Sequence, residues 1–269
     1  MSALTVLAAF LRRDFRINIS YRASFALEGF STLFALALFF YLSRVVDESE
    51  FSTSQGLSGG YFGYAAVGLL VVTIIQVTLS SFSLKLREEQ TTGTFEALMA
   101  TPASPWLVVL SSALYDLLRA TVSGLVLLAV AVAVFGLNLD LDPGSIAIAA
   151  AALVGSLGLL ASLGIAVAAF TVVWKRTTAL AGMVVTGLSL LAGVYFPIEV
   201  LPSPLEEVAA ALPFTWGLDV LRASLLGGDV DPAQLAGLFA AAVVAMPPAL
   251  VGFTLAVKRA RSTGTLSQY

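Results

Sequence analysis

The chain of 269 residues is 58% hydrophobic and only 12% charged, with a mean hydropathy of +0.94. Soluble domains carry about 45–50% apolar and about 25% charged residues, so this chain has too few polar side chains to cover a water-facing surface and reads as an integral membrane protein. It has no Cys, no His and a net charge of −3, which excludes disulfides, thiolate or imidazole metal sites, Ser-His-Asp triads and a basic nucleic-acid footprint.

The first 22 residues predict a helix lying in the membrane interface. Leu4, Leu7, Leu11 and Phe15 recur at helical spacing, with Arg12, Arg13 and Arg16 on the other side, the pattern of an amphipathic interfacial helix. The other reading is a solvated basic arm. The apolar run behind it, 23–43, is longer than the roughly 7–15 residues of a signal-peptide core and is not expected to be cleaved.

A helix needs about 20 mostly apolar residues to cross the hydrocarbon core. Six segments meet that need: 23–43, 60–83, 105–135, 145–173, 178–196 and 233–257. Ser104-Pro105, Asp142-Pro143 and Asp231-Pro232 each place a capping residue before a Pro at the first helical position, which starts the third, fourth and sixth spans. Gly136 ends the third. The expected fold is all-α and membrane-embedded, with residues 1–269 forming a single transmembrane domain.

With the N-terminus placed in the cytoplasm, the inner segments hold Arg12, Arg13, Arg16, Arg22, Lys85, Arg87, Lys175, Arg176, Lys258, Arg259 and Arg261. These are 11 of the 14 basic residues, so both termini are expected inside. The outer loops carry acids instead, among them Asp47, Asp140, Asp142, Glu199, Asp219, Asp229 and Asp231.

The inner loop after span two reads Lys85-Leu-Arg-Glu-Glu-Gln-Thr-Thr-Gly-Thr-Phe-Glu-Ala-Leu-Met-Ala-Thr-Pro102. Gly93 breaks the chain and Thr94 can cap a short helix that Pro102 stops. Phe95, Leu98 and Met99 form an apolar stripe at i, i+3 and i+4, flanked by Glu88, Glu89 and Glu96. Such a helix suits docking into a groove on a soluble partner; the alternative is a helix lying passively on the membrane.

Span three contains Asp116 and Arg119, which share a helix face at i, i+3. They read either as a self-neutralised packing pair or as working groups on a pathway. Glu28 in span one sits within reach of Arg22. Gln76, Thr73 and Thr78 in span two line a path or bond between helices. In span four, Gly158, Ser162 and Ala166 permit close packing, within one chain rather than at a dimer seam; Gly182, Gly187 and Gly193 leave span five open to a subunit interface. After span five, Ser203-Pro204-Leu205-Glu206 reads as a cap, a first-turn Pro and a capping-box Glu. A second short helix is expected over Thr215–Leu226, closed by Gly227-Gly228.

These segments together resemble the permease subunits of type-2 ABC exporters. The resemblance rests on Glu88-Glu89-Gln90-Thr91-Thr92-Gly93-Thr94-Phe95-Glu96-Ala97-Leu98-Met99-Ala100-Thr101-Pro102. It rests also on Phe196-Pro197-Ile198-Glu199-Val200-Leu201-Pro202 and on Leu212-Pro213-Phe214-Thr215-Trp216-Gly217-Leu218-Asp219-Val220-Leu221-Arg222. It implies a permease of six spans that pairs with a second permease chain, identical or different, over two ABC ATPase subunits. The Gly93–Pro102 segment would be the coupling helix, with Glu88, Glu89, Glu96, Phe95, Leu98 and Met99 among its contacts. Trp174-Lys175-Arg176 offers a second cytoplasmic contact. ATP and Mg would sit on the partner, and this chain would carry no cofactor and no catalytic residue.

The residues agree that no nucleotide engine lies here. A P-loop needs Gly-x-x-x-x-Gly-Lys-Ser/Thr; Lys85, Lys175 and Lys258 are the only lysines and none follows a Gly. Leu57-Ser58-Gly59-Gly60-Tyr61 looks like an ABC ATPase signature but stands in an outer loop. An ion-coupled secondary transporter working alone is the alternative function; it would need ionisable groups on several spans, and only Asp116, Arg119 and Glu28 qualify. A composition rich in Ala, Val and Leu and poor in Lys points to a bacterial cytoplasmic membrane.

Overall fold

The computed structural model describes residues 3–20, 22–46, 48–91, 105–173 and 178–262. Among these residues there are ten α-helices, one 3-10 turn and no strand. In chain order the helices are α1 (Ala3–Ser20), α2 (Arg22–Ser43), α3 (Glu48–Gln55), α4 (Gly60–Thr91) and α5 (Pro105–Phe135). They continue with α6 (Pro143–Val173), α7 (Thr178–Leu191), α8 (Ser203–Ala211), α9 (Pro213–Leu225) and α10 (Pro232–Ser262).

Four helices are long and apolar enough to cross a membrane: Gly60–Ser81 of α4, Leu114–Phe135 of α5, Pro143–Val172 of α6 and Pro232–Ala260 of α10. The expected fifth span, 178–196, is shorter than the sequence suggests. Helix α7 has 14 residues, about 21 Å at 1.5 Å per residue, against a hydrocarbon core of about 30 Å. Gly193 takes φ +67, a left-handed turn that only glycine adopts without strain, and residues 192–197 leave the helix as a loop. Helix α2, by contrast, runs 22 residues, Arg22–Ser43, close to the expected 23–43.

The helix starts obey the cap-and-proline rule where they are described. Asp142 Oδ2 accepts the Gly144 N–H at 3.0 Å and Asp231 Oδ1 accepts the Ala233 N–H at 2.8 Å. Ser104 lies outside the described residues, and α5 begins at Pro105. Gly136, at φ +71, closes α5, with the Leu137 N–H donating to the Ala131 carbonyl at 3.1 Å. One start differs. The N-cap of α8 is Pro202, without a side-chain cap bond, so Ser203 is inside the first turn and the expected capping box does not form.

Helix α4 is central: 83% of its apolar window is buried inside the chain, against 17% for α10. It packs against α5, α6, α7 and α2. Helices α6 and α10 pack along each other, with Gly158 facing the Ala242 Cβ and a core of Ala161, Ile165, Ala168, Val172, Ala249, Phe253 and Val257. Gly158 and Ser162 of the small-residue stripe of α6 therefore pack within the chain, whereas Ala166 is exposed. Among the described residues, nothing lies within 4 Å of a Cβ placed at Gly182 or Gly187 of α7.

Helix α1 rests on α5, with the Phe15 and Tyr115 rings edge to face at 6.5 Å. Asp14 lies on the Leu7–Leu11 stripe and is 1% exposed, while Phe15 is 54% exposed. The burying face of α1 is thus turned from the one the leucine spacing suggests.

Candidate functional site

Three loops that the charge pattern assigns to one side meet at one end of the bundle, around α9. The Ser58 N–H and Oγ–H both donate to the Leu226 carbonyl, at 2.9 and 2.6 Å, and the Asp140 N–H donates to the Leu225 carbonyl at 2.8 Å. Carbonyls at the end of α9, orphaned in any helix terminus, are thus satisfied by two other loops. Gly227, at φ +71, turns the chain there, as expected from Gly227-Gly228. The ATPase-signature lookalike at Leu57–Tyr61 has this structural use. Thr215 Oγ1 and Trp216 Nε1 donate to the Ala209 and Ala210 carbonyls at 2.7 and 2.8 Å and fold α8 and α9 into a hairpin.

At the centre of this end is Arg222 of α9, 2% exposed. Its Nη2 donates to the Gly193 and Val194 carbonyls at 3.0 and 2.9 Å, and its Nε donates to the Tyr64 carbonyl at 3.3 Å. The guanidinium carbon lies 3.3 Å from the centroid of the Tyr64 ring, a cation–π contact. The Tyr64 hydroxyl donates to the Gly193 carbonyl at 2.9 Å, and the Tyr61 hydroxyl to the Tyr195 carbonyl at 3.1 Å. The chain between α7 and the 3-10 turn Ile198–Val200 is thereby clamped onto α4. Aromatic rings surround it, with Phe39 stacked on Tyr195 at 5.9 Å.

Beside the clamp is a cavity of about 360 Å³ lined by Gln55, Tyr64, Glu199, Asp219, Arg222, Asp229, Asp231 and Gln234, among others. Burial pushes the Asp219 carboxyl up to about 6; Glu199 adds to this and Arg222 opposes it. Burial pulls the Arg222 guanidinium below its ordinary value.

A pH prediction follows from Asp219. Its unfolded value is 3.8 and its folded value about 6, so the folded chain holds the proton more tightly. That margin is full below the unfolded value and is lost as pH rises through about 6. Asp219→Asn is neutral throughout. It is expected to exceed the wild type near pH 8 by up to about 3 kcal/mol and to lose that advantage near pH 4, as read by unfolding in detergent at both pH values. A difference independent of pH would refute the assignment.

The residues singled out from sequence are distributed as follows. Gly93, Thr94, Phe95, Glu96, Leu98 and Met99 lie outside the described residues, as do Trp174, Lys175 and Arg176. The backbone of α4 runs through Glu88 and Glu89; their side chains, and that of Glu28, lie outside those described. Asp116 is 8% exposed on α5. Tyr115 lies within electrostatic reach of Arg119 and Asp116 on its own helix and of Asp14 on α1. Gln76 is exposed. The Thr73 and Thr78 hydroxyls donate to the Leu69 and Ile74 carbonyls of their own helix, at 2.7 and 2.6 Å, rather than between helices. Thr73 also lines a cavity of about 200 Å³ with Thr32 and Ser123.

Sequence reasoning missed Arg222 and Asp14 as organising residues. For Asp14 the signal is an acid on an apolar stripe. For Arg222 it is one of only two cations among the outer acids, with Arg44, and it stands three residues after Asp219. Residues 4–226 match the family model described as ABC-2 type transporter. No curated protein matches the chain.

Proposed function

We infer the role of this chain from its family: it belongs to the ABC-2 type transporters, matched over most of its length, and is a membrane subunit of such a transporter, not an enzyme. A stand-alone ion-coupled carrier is set aside on that ground. Beyond the family, we propose that the chain is the permease of an exporter. It would move its substrate across the cytoplasmic membrane by alternating access. Two separate ATPase subunits, carrying ATP and Mg, would drive it, and a second permease chain would complete the pathway.

The observation that carries the coupling role is the length of α4. The apolar run of span two ends at residue 83, where Lys85, Arg87, Glu88 and Glu89 follow, while the helix continues to Thr91. The eight further residues add about 12 Å. A charged extension of this kind, in the proposed orientation, supports a docking joint for a soluble subunit on the cytoplasmic side. Phe95 and Leu98 then supply its apolar knob and Glu88, Glu89 and Glu96 its polar rim. In this reading α2 and α7 complete six spans, and both termini are cytoplasmic.

The test is recovery of the tagged chain from its native membranes in mild detergent. A P-loop ATPase is expected to co-purify, and Phe95→Asp is expected to reduce its recovery at least tenfold while the chain stays folded. An ATPase retained at wild-type level would move the joint elsewhere. A folded chain that recovers no ATPase would refute the proposed partner.

A further inference from the structure

Two opposite charges on α9 are held a turn apart without meeting. Arg222 and Asp219 both line the same cavity, and each influences the other electrostatically. No ion pair joins Arg222 to a carboxylate among the described residues. Its cation is held by backbone carbonyls and a ring. Its Nη1 is buried and donates to nothing. A buried charged donor left without an acceptor is costly, and Arg222 is among the residues lining the cavity.

The rest of the lining lacks a cation. Glu199, Asp219, Asp229 and Asp231 face the cavity, with the amide groups of Gln55 and Gln234 between them. Among the described residues no acidic group gathers tightly enough to hold a metal ion, so the missing positive charge is organic. The volume lies at the lower end of the roughly 300–1,000 Å³ usual for small-molecule sites.

We propose that this cavity binds a zwitterionic group, an oxyanion joined by a short linker to a primary ammonium, with the oxyanion on Arg222 and the ammonium between Asp219 and Glu199. One such ligand satisfies both deficits at once, which neither a simple anion nor a simple cation does. The chemistry is shared by a free solute such as phosphoethanolamine and by a phosphatidylethanolamine headgroup. That the cavity opens to the outer face rests on the orientation proposed above; the binding chemistry does not.

The test uses the purified full chain in maltoside detergent and, separately, in nanodiscs. Calorimetric titration with phosphoethanolamine is expected to saturate, with ethanolamine and inorganic phosphate each binding at least tenfold more weakly. Asp219→Asn is expected to weaken the zwitterion at least tenfold without lowering thermal stability near neutral pH, and Glu199→Gln about threefold. If saturation is seen only as extra thermal stability in phosphatidylethanolamine nanodiscs over phosphatidylglycerol ones, abolished by Asp219→Asn, the source is lipid and the site stands. The proposal fails if no zwitterion, free or lipid, exceeds its two halves, or if Asp219→Asn binds like the wild type. Orientation is read independently. The chain has no Cys, so Asp229→Cys gives a single thiol, and labelling it with an impermeant maleimide only from the cytoplasmic side would overturn the sidedness while leaving the site intact.

Discussion

Arg222→Ala is expected to destabilise the folded chain by about 3–5 kcal/mol, because three buried carbonyls lose this donor at about 1–3 kcal/mol each. Removal of the guanidinium takes away the donor to the Tyr64, Gly193 and Val194 carbonyls, and the Tyr64 ring loses its cation. Removing a buried charge also relieves its desolvation, which offsets part of the loss. The offset is incomplete because the Gly193 and Val194 carbonyls are buried and lose this donor. Arg222→Met separates volume from hydrogen bonding. It fills the space and is expected to recover less than half of the loss. Arg222→Lys, a single point charge, cannot serve carbonyls on two segments and the ring together. Unfolding in detergent, followed by the monodispersity of the purified chain, measures all three. A wild-type melting temperature for Arg222→Ala would show that the clamp does not hold this end together.

Gly68→Ala should reverse the ordinary sign of its substitution. In a helix interior, Ala is favoured over Gly by about 1 kcal/mol. At Gly68 of α4, however, an added Cβ would land on the carbonyl oxygen of Val194, well inside van der Waals contact, and 3.1 Å from Nη2 of Arg222. That oxygen cannot retreat, because Arg222 fixes it at 2.9 Å. Either α4 or the Val194 loop must move, and the expected loss is about 2–4 kcal/mol, toward the upper part of the overpacking range. Gly187→Ala is the comparison. Nothing lies within 4 Å of a Cβ there, and the same change is expected to be neutral or to stabilise by under about 1 kcal/mol. Equal melting shifts at the two glycines would refute the close approach at Gly68.

The ends of elements were legible because their chemistry is local. Asp142-Pro143, Asp231-Pro232, Gly136 and Gly227 each act on groups a few residues away, and a linear reading finds them. The end of α7 was not legible. Ala192-Gly193-Val194-Tyr195-Phe196 is apolar, and apolarity in a membrane protein reads as more helix. The segment is instead a buried loop, tolerated because Arg222, Tyr64 and Tyr61 supply its carbonyls with donors. Those donors come from 28 to 134 residues away, and main-chain acceptors leave no mark in a side-chain alphabet. Asp219 and Arg222 stand at the same i, i+3 spacing as Asp116 and Arg119. Spacing alone drew attention to the pair inside a span and passed over the pair in an outer helix. The docking segment around Phe95 rests on its sequence and on the reach of α4.

Helix α4 gives the molecule a mechanical axis. Its 32 residues make a rod of about 48 Å, with Tyr61, Tyr64 and Gly68 locked into the clamp near one end and the charged extension at the other. A rod of this kind has few internal joints in which to dissipate a tilt. If the proposed ATPase docks beyond Thr91, torque applied there would reach the Val194 turn and the floor of the acidic cavity along this rod. Thermodynamic reciprocity would then make the coupling two-way: whatever factor nucleotide state imposed on occupancy of the proposed site, occupancy would impose in return on nucleotide affinity.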